Sequence, residues 1–476
     1  MTVLATTAAR HRLPLAAVGC LLSFAAFCAA QHAADVSLID LMVYRAEGEA
    51  VRAGGDLYAL RATEAHLPMT YPPFAALLFT PLTLPQTADL KLLATAGNLL
   101  LLVVFVRLSL SLIHQWGGRR GLVERHARVE TALWASALAV WTEPVWTTLR
   151  YGQVNLLLAV LVLWDLTRRP GHRWAGVGIG VAAAIKLTPA LFAVFLLLVG
   201  VVEVVRRGVW RPTVRRAGVA AAAFLGATLL AAVVLPDDSR RFWTRVVFDA
   251  DRAGHVEQTA NQSLRGVLAR LLHTDDPGLW WVAVAALVCA AGLAVAVASA
   301  VRGQWAWGAA ACAATALLVS PVSWSHHWVW CVPMALLWWT RALDRGSRPE
   351  HRSGPERGSG PERGSRPDRG GRRGRAWRVG AIGLSVVFCS YALWWVPHRP
   401  GRPELDQSAG QMLLSGLYPL AGVAFLAVAA VTVLARGQGG PSEEAHDTEE
   451  TAEYTRQAPP SPRARGLRPW RTNRSA

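Results

Sequence analysis

Uninterrupted apolar runs decide what this chain can become. Leu13–Ala30, Ala217–Leu235 and Leu279–Val301 contain no Asp, Glu, Lys or Arg, and a helix of that length crosses a hydrocarbon core of about 30 Å. More apolar segments follow one another between short polar breaks. A water-soluble enzyme with a single core is excluded, and an all-α polytopic membrane protein is predicted, because in lipid the backbone must satisfy its own hydrogen bonds.

The breaks sort by charge. The net charge of +17 comes from 49 basic residues, of which only Lys91 and Lys186 are lysine. The arginines sit in loops and not on one folded face, so nucleic acid is not an expected partner. Clusters at 119–128, 168–173, 206–216 and 341–378 instead mark a cytoplasmic side. Residues 31–72 hold six acids against three arginines, and 236–278 hold seven acids and six arginines, so these two large loops are expected outside. Threading by this rule gives about twelve spans with both termini cytoplasmic. They fall at 13–30, 90–113, 131–148, 156–166, a hairpin over 174–205 broken at Lys186-Leu187-Thr188-Pro189, then 217–235, 279–301, 305–318, 328–339, 379–396 and 412–434. The first reads as a signal anchor. Phe74–Leu84, bounded by Pro72-Pro73 and Pro85, is too short to cross and reads as a re-entrant or surface helix.

Four regions follow. Residues 1–340 form the transmembrane core. Residues 341–376 are a cytoplasmic disordered linker that repeats Ser-Gly-Pro-Glu-Arg at 353–357 and 359–363. Residues 377–436 are a C-terminal transmembrane hairpin, and 437–476 a disordered cytoplasmic tail. The six cysteines lie in or beside apolar segments without a C-x-x-C pair, so neither a disulfide framework nor a metal site is expected. There is no G-x-x-x-x-G-K-[ST] phosphate loop, hence no support for a nucleotide-driven reaction.

Ionisable groups at membrane depth are costly and therefore candidates for function. Asp40 opens an expected surface helix stopped by Gly54-Gly55. Ser37 and Asp40 match a capping box, and the same carboxylate is also placed to take a proton from a hydroxyl. Leu67-Pro68-Met69-Thr70-Tyr71-Pro72-Pro73-Phe74 is a stiff extended loop whose Tyr71 can stack on a sugar. Lys186 either snorkels to the interface or offers a point charge to a phosphate. Ser323-Trp324-Ser325-His326-His327-Trp328 is either an interfacial belt or a source of hydrogen bonds to phosphate and sugar. Gln153, Asn155, Asn261 and Arg265 supply the amides and guanidinium that a sugar-phosphate site needs, although each alone also suits a solvated loop.

These segments, taken in order, resemble glycosyltransferase family 87. The resemblance is carried by Asp40-Leu41-Met42-Val43-Tyr44, Gly54-Gly55-Asp56-Leu57-Tyr58, the 67–74 loop, Gly152-Gln153-Val154-Asn155, Ala184-Ile185-Lys186-Leu187-Thr188-Pro189, Asn261-Gln262-Ser263 and Ser320–Trp328. It implies a GT-C-type fold with its site at the outer face of the plasma membrane. It implies transfer of mannose from polyprenyl-phosphate-mannose to a mannosylated lipid or lipoglycan, usually α-1,2 and with inversion. Membrane lipids and these two substrates are the implied partners; no cofactor is implied, the lipid-linked sugar being a co-substrate. By position Asp40 matches the general base. Lys186, His326 and Arg265 are the candidates for the leaving phosphate, and His327, Tyr71, Tyr44, Gln153, Asn155 and Asn261 complete the donor site. Asp40 is followed by Leu41 and not by a second acid, unlike the similar protein O-mannosyltransferases, which argues against a protein acceptor. Arabinose or glucose on the same carrier remains compatible with the sequence. Without the resemblance, a transporter or lipid flippase is the main competitor, since twelve spans with broken helices suit that class.

Overall fold

A computed structural model describes residues 2–114, 122–169, 171–208, 212–346, 369–398 and 401–437. Apolar sequence has become helix nearly everywhere among them. In chain order the helices are α1 (Thr2–Ala33), α2 (Ile39–Ala53), α3 (Pro73–Phe79), α4 (Thr87–His114), α5 (Leu122–Ala139), α6 (Glu143–Tyr151), α7 (Asn155–Leu166), α8 (Val177–Ile185), α9 (Ala190–Arg207) and α10 (Pro212–Val234). Then come α11 (Pro236–Thr244), α12 (Leu264–Leu271), α13 (Gly278–Val301), α14 (Trp305–Val319), α15 (Cys331–Gly346), α16 (Arg369–Cys389), α17 (Ala409–Ser415) and α18 (Leu417–Gly437). Two residues on each side, Arg61–Ala62 and Leu67–Pro68, pair as an antiparallel β1–β2 ribbon.

The protein is all-α and polytopic. Five helical stretches are long and apolar enough to cross a membrane: Arg12–Ala33, α4, α10, α13 and Leu417–Leu434. A sixth is reached if α6 and α7, bent by 116° at their junction, count as one broken span. The expected count of about twelve therefore includes shorter helices. α7, with 12 residues, is about 18 Å long.

Three expected spans are divided differently. The run 131–148 is cut at Val140–Thr142, because Pro144 sits in the first turn of α6, where its missing N–H is harmless. The span begins earlier, at Leu122, and α6 is a separate short helix. The run 379–396 ends as a helix at Cys389, before Tyr391 enters the left-handed region at φ 55°. The run 412–434 is split at Gly416 into α17 and α18. Helices also enter the expected linker from both sides, α15 to Gly346 and α16 from Arg369, while 347–368 and most of the 437–476 tail lie outside the described residues.

The hairpin expected over 174–205 is present. Gly176, which caps α8, and Gly180 within it lie against Arg216 and Ala220 of α10 in the same order, so these helices run parallel, whereas Gly200 of α9 lies against Val214 just after the turn into α10. At Gly180 a Cβ would come 2.3 Å from the Ala220 carbonyl oxygen, so only glycine lets the backbones approach this closely. α14 is buried continuously from Trp307 to Leu318. Residues 1–430 form one unit; from Val431 the described chain is the end of α18.

Glu143 ties several elements together at the end of this packing. Its carboxylate accepts from Thr147 Oγ1 (2.9 Å), Ser325 Oγ (2.8 Å), Trp394 Nε1 (3.2 Å) and Tyr418 Oη (2.9 Å). A wholly buried carboxylate needs such donors, since burial without them is strongly unfavourable.

Candidate functional site

α2 is an amphipathic helix outside the long apolar runs, and Gly54 ends it at φ 66° as expected. Its start differs from expectation. Leu38, not Ser37, is the N-cap, in a left-handed conformation without a side-chain cap, so the capping box does not form. Asp40 instead turns to the loop after α6, where Gln153 Nε2 donates to its Oδ2 at 2.5 Å.

The amide has a defined orientation. Gln153 Oε1 accepts from Tyr44 Oη at 2.8 Å and from Tyr71 Oη at 3.2 Å, and these hydroxyls are 2.8 Å apart. With the oxygen held by two phenols, the NH2 group faces the carboxylate. Gly152 makes the approach possible. It closes α6 at φ 70°, and a Cβ there would lie 2.8 Å from Leu41 Cβ on α2, a position that requires glycine on both counts.

The proline-rich loop is clamped as a platform. Tyr58 Oη donates to Tyr71 O at 3.0 Å, and Arg252 Nη2 donates to Met69 O at 2.8 Å. Arg252 Nη1 is buried without a partner.

Lys186 stands in extended backbone between α8 and α9. Its Nζ donates to Asn155 Oδ1 at 3.3 Å, lies 2.9 Å from His327 Nε2 and sits 5.4 Å from the Tyr71 ring centre. Among the described residues no carboxylate is within 4.0 Å of this ammonium. Asn155 Nδ2 and Thr148 Oγ1 donate to His326 O, at 3.0 and 2.7 Å, which seats the two-histidine turn, and His326 Nε2 is left buried without a partner.

These groups share one cavity of about 860 Å³. Asp40, Tyr44, Tyr71, Gln153, Lys186, His326 and His327 line it, so seven of the predicted residues are brought together. Asn155 lies behind Lys186, on a small adjoining cavity of about 50 Å³. Leu187 in the break before α9, Leu191 of α9, Ala316 and Val319 of α14, and Val246 and Val247 give the larger cavity an apolar side.

Two predicted residues lie elsewhere. Arg265 pairs with Asp251 at 3.0 Å and is 5.8 Å from the Trp281 ring, off the cavity. Asn261 is wholly buried: its Nδ2 donates to Val256 O, and its Oδ1 accepts from Ser323 N at 3.0 Å and Ser263 N at 3.3 Å. It pins the 320–327 segment to the 256–263 loop.

The sequence reading missed Arg252, Gln258, Trp394, His398 and Glu404, all on the cavity wall. No local pattern marks any of them; the fold alone gathers them. It also missed Glu47, wholly buried two turns after Asp40, with neither carboxylate oxygen partnered.

Burial sets the electrostatics of α2. It pushes the Asp40 carboxyl up to about 6, against the opposing pulls of the Gln153 hydrogen bond and the Lys186 charge. Burial first, and the nearby Asp40 charge second, push Glu47 up to about 8. Asp40 is therefore ionised at neutral pH and unusually basic for a carboxylate, a state suited to accepting a proton. Opposite charge from Lys186 shares the cavity and is available to an anion.

Comparison with known proteins places the chain in context. The model of glycosyltransferase family 87 matches residues 69–321. A polyprenol-phosphate-mannose-dependent alpha-(1-2)-phosphatidylinositol mannoside mannosyltransferase of Mycobacterium tuberculosis is 35% identical over 320 residues, 64% of this chain and 71% of that protein. Its namesake in Mycolicibacterium smegmatis is 36% identical over 333 residues, 65% and 71% of the two chains. A polyprenol-phosphate-mannose-dependent alpha-(1-2)-phosphatidylinositol pentamannoside mannosyltransferase of M. tuberculosis is 33% identical over 309 residues, 63% and 66%. No solved structure gives a significant match.

Proposed function

The chain belongs to glycosyltransferase family 87, and from that membership we propose that it is a membrane mannosyltransferase, moving mannose from polyprenyl-phosphate-mannose to a mannosylated glycolipid or lipoglycan in α-1,2 linkage. The observation that carries the reading to this chain's own residues is the shared cavity. A positioned carboxylate, Asp40, and a carboxylate-free ammonium, Lys186, face the same space beside an apolar wall.

The step is a single displacement. The acceptor hydroxyl gives its proton to Asp40 as its oxygen bonds to the anomeric carbon. The bond from that carbon to the phosphate oxygen breaks, and the phosphodiester leaves as a phosphomonoester, so the anomeric configuration inverts. Charge grows on the leaving phosphate, and preorganised cations there lower the barrier. Lys186 and Arg252 take that role, with His326 Nε2 as a further hydrogen-bonding group. Arg265, already paired, does not. The apolar side formed by Leu187, Leu191, Ala316 and Val319 suits the prenyl chain of the donor. No cofactor beyond the lipid-linked sugar enters the scheme.

The active site belongs on the extracytoplasmic side of the plasma membrane. Charge supports this: the cavity gathers the segments after α1, α8 and α14, while the arginine-rich connections 168–173 and 206–216 join the opposite ends of α7 to α8 and α9 to α10.

The test is transfer of labelled mannose by purified protein from polyprenyl-phosphate-mannose to a phosphatidylinositol mannoside. Asp40→Asn is expected to lower kcat by about 10²–10⁴-fold with donor binding retained. Full activity in that variant would remove Asp40 as the base.

A further inference from the structure

Part of the cavity wall has no role in the transfer step described above. It is formed by loop 255–262 and by residues 391–398 and 401–407, which follow α16. Both are held in place, the loop against α12 and α17 and the later segment against the loop. Arg270, buried on α12, donates to the carbonyls of Glu257, Gln258 and Asn261 at 3.0–3.2 Å and to Ser415 O at 3.1 Å. Gln262 Nε2 donates to Thr259 O and Ser415 O, both at 2.6 Å. Arg402 pairs with Glu257 at 2.6 Å. Backbone held this way is set before a ligand arrives, which reduces the ordering cost of binding.

This frame presents polar atoms that the protein itself leaves open. Gln258 Nε2 is buried without a partner, in a side chain that lines the cavity. Glu404 is 2% exposed, and its carboxylate accepts one long hydrogen bond, from Thr259 N at 3.4 Å. His398 donates through Nδ1 to Val396 O at 2.7 Å, which leaves Nε2 as an acceptor. Trp324 and Trp394 line the same space, and Trp394 is held by its bond to Glu143. A buried donor without a partner is unfavourable unless a ligand completes it. An amide donor, a carboxylate, an imidazole acceptor and two indoles together fit a hexose: its hydroxyls pair with the polar groups and its C–H face lies on an aromatic ring.

We propose that Gln258, His398 and Glu404, with Trp324 and Trp394, form the subsite for the terminal mannose of the acceptor, separate from the groups that hold the donor. This rests on the mannosyltransferase reading. The donor is already anchored by its phosphate and its prenyl chain, whereas the acceptor hydroxyl has to be presented to Asp40 by contacts to the sugar that carries it. The relatives agree with this division. Their names share one donor and differ in the acceptor, a mannoside or a pentamannoside, and four of these five residues lie beyond residue 321, where the family match ends.

The experiment measures initial rates of the full chain with labelled polyprenyl-phosphate-mannose and phosphatidylinositol mannosides as acceptors. Glu404→Gln, Gln258→Ala and His398→Ala are each expected to raise the acceptor KM by about tenfold to a hundredfold, with donor KM and kcat at saturating acceptor within about twofold. An unchanged acceptor KM in all three, or a rise in donor KM instead, overturns the subsite while leaving the transferase intact. A wild-type protein inert with every mannosylated acceptor overturns both. If Glu404→Gln does not accumulate as folded protein, the exposed His398 and the neutral Gln258→Ala change decide the matter on the same readout.

Discussion

Gln153 Nε2 and Asp40 Oδ2 meet at 2.5 Å across two elements that are 113 residues apart in sequence. The contact opposes the burial that pushes the Asp40 carboxyl up to about 6. If the ionised form is the base, kcat/KM rises with pH through about 6 and levels off above it. Gln153→Leu keeps the burial and removes the hydrogen bond, so the acid limb should move to higher pH by about one unit. Tyr71→Phe should move it less, in the same direction, by loosening the amide. Rate profiles from pH 4.5 to 8.5 measure this, and a limb that stays put in Gln153→Leu assigns it to another group.

Arg252 and Arg265 stand thirteen positions apart, Arg252 before the 255–262 loop and Arg265 in the first turn of α12 after it, and they should behave oppositely. Arg252 Nη1 is buried beside the cavity without a partner, whereas Arg265 is paired with the exposed Asp251. Arg252→Met is expected to raise the donor KM by about tenfold or more, the loss of one charge-assisted contact to phosphate. Arg265→Met should leave it within about twofold, because an ion pair to an exposed acid contributes little. Donor titrations of the two variants at saturating acceptor distinguish them; equal effects would mean that the cavity does not select between these cations.

The contrast shows what the sequence made legible. Features written in local chemistry were readable: the Gly54 stop of α2, the stiff 67–74 loop and the break at Lys186–Pro189 all follow from residues next to one another. Seven of the ten predicted site residues line the cavity because the breaks that carry them fall at the same end of the packing. Partner choice was not readable. Ser37 and Asp40 fit a cap by spacing, yet the fold brings the Gln153 amide within hydrogen-bond reach of Asp40 from another element. Asn261 looked like a ligand because an amide is equally suited to pinning a loop. Glu404 and His398 lie more than two hundred residues after Asp40, where nothing local relates them to it. Apolar character also continues across Val140–Trp141, so hydropathy alone could not show that Pro144 begins a new helix there.

Gly152→Ala tests whether the α6–α2 contact sets the geometry of the base. The added methyl meets Leu41 Cβ at 2.8 Å, and φ 70° is strained for alanine. Gln153 should therefore be displaced from Asp40, and a shift of about 1 Å at a reacting group can lower kcat about a hundredfold. Donor KM should hold, since Lys186 and Arg252 are carried by other elements. Pairing the change with Leu41→Gly removes the Cβ that the added methyl meets but not the backbone strain, so part of the activity should return. Single-turnover rates on the two variants check this; a kcat near wild type in Gly152→Ala would show that the contact is dispensable.

Glu47 should make the protein less stable as pH rises. Its carboxyl is wholly buried with both oxygens unpartnered, and burial together with the Asp40 charge raises it from 4.5 in the ordinary chain to about 8. Between those values the folded state holds a proton that the unfolded state has released, so stability is complete below about pH 4.5 and declines up to about pH 8. Asp40, also raised, adds a decline in the same direction that ends near pH 6. Glu47→Gln removes the first contribution and keeps the second. The variant should match the wild type near pH 5, melt several degrees higher at pH 8.5, and retain only a shallow slope below pH 6. Thermal melts across pH 5 to 9 in one detergent read this directly. Parallel curves for the two proteins would mean that Glu47 finds a partner in solution and carries no buried proton.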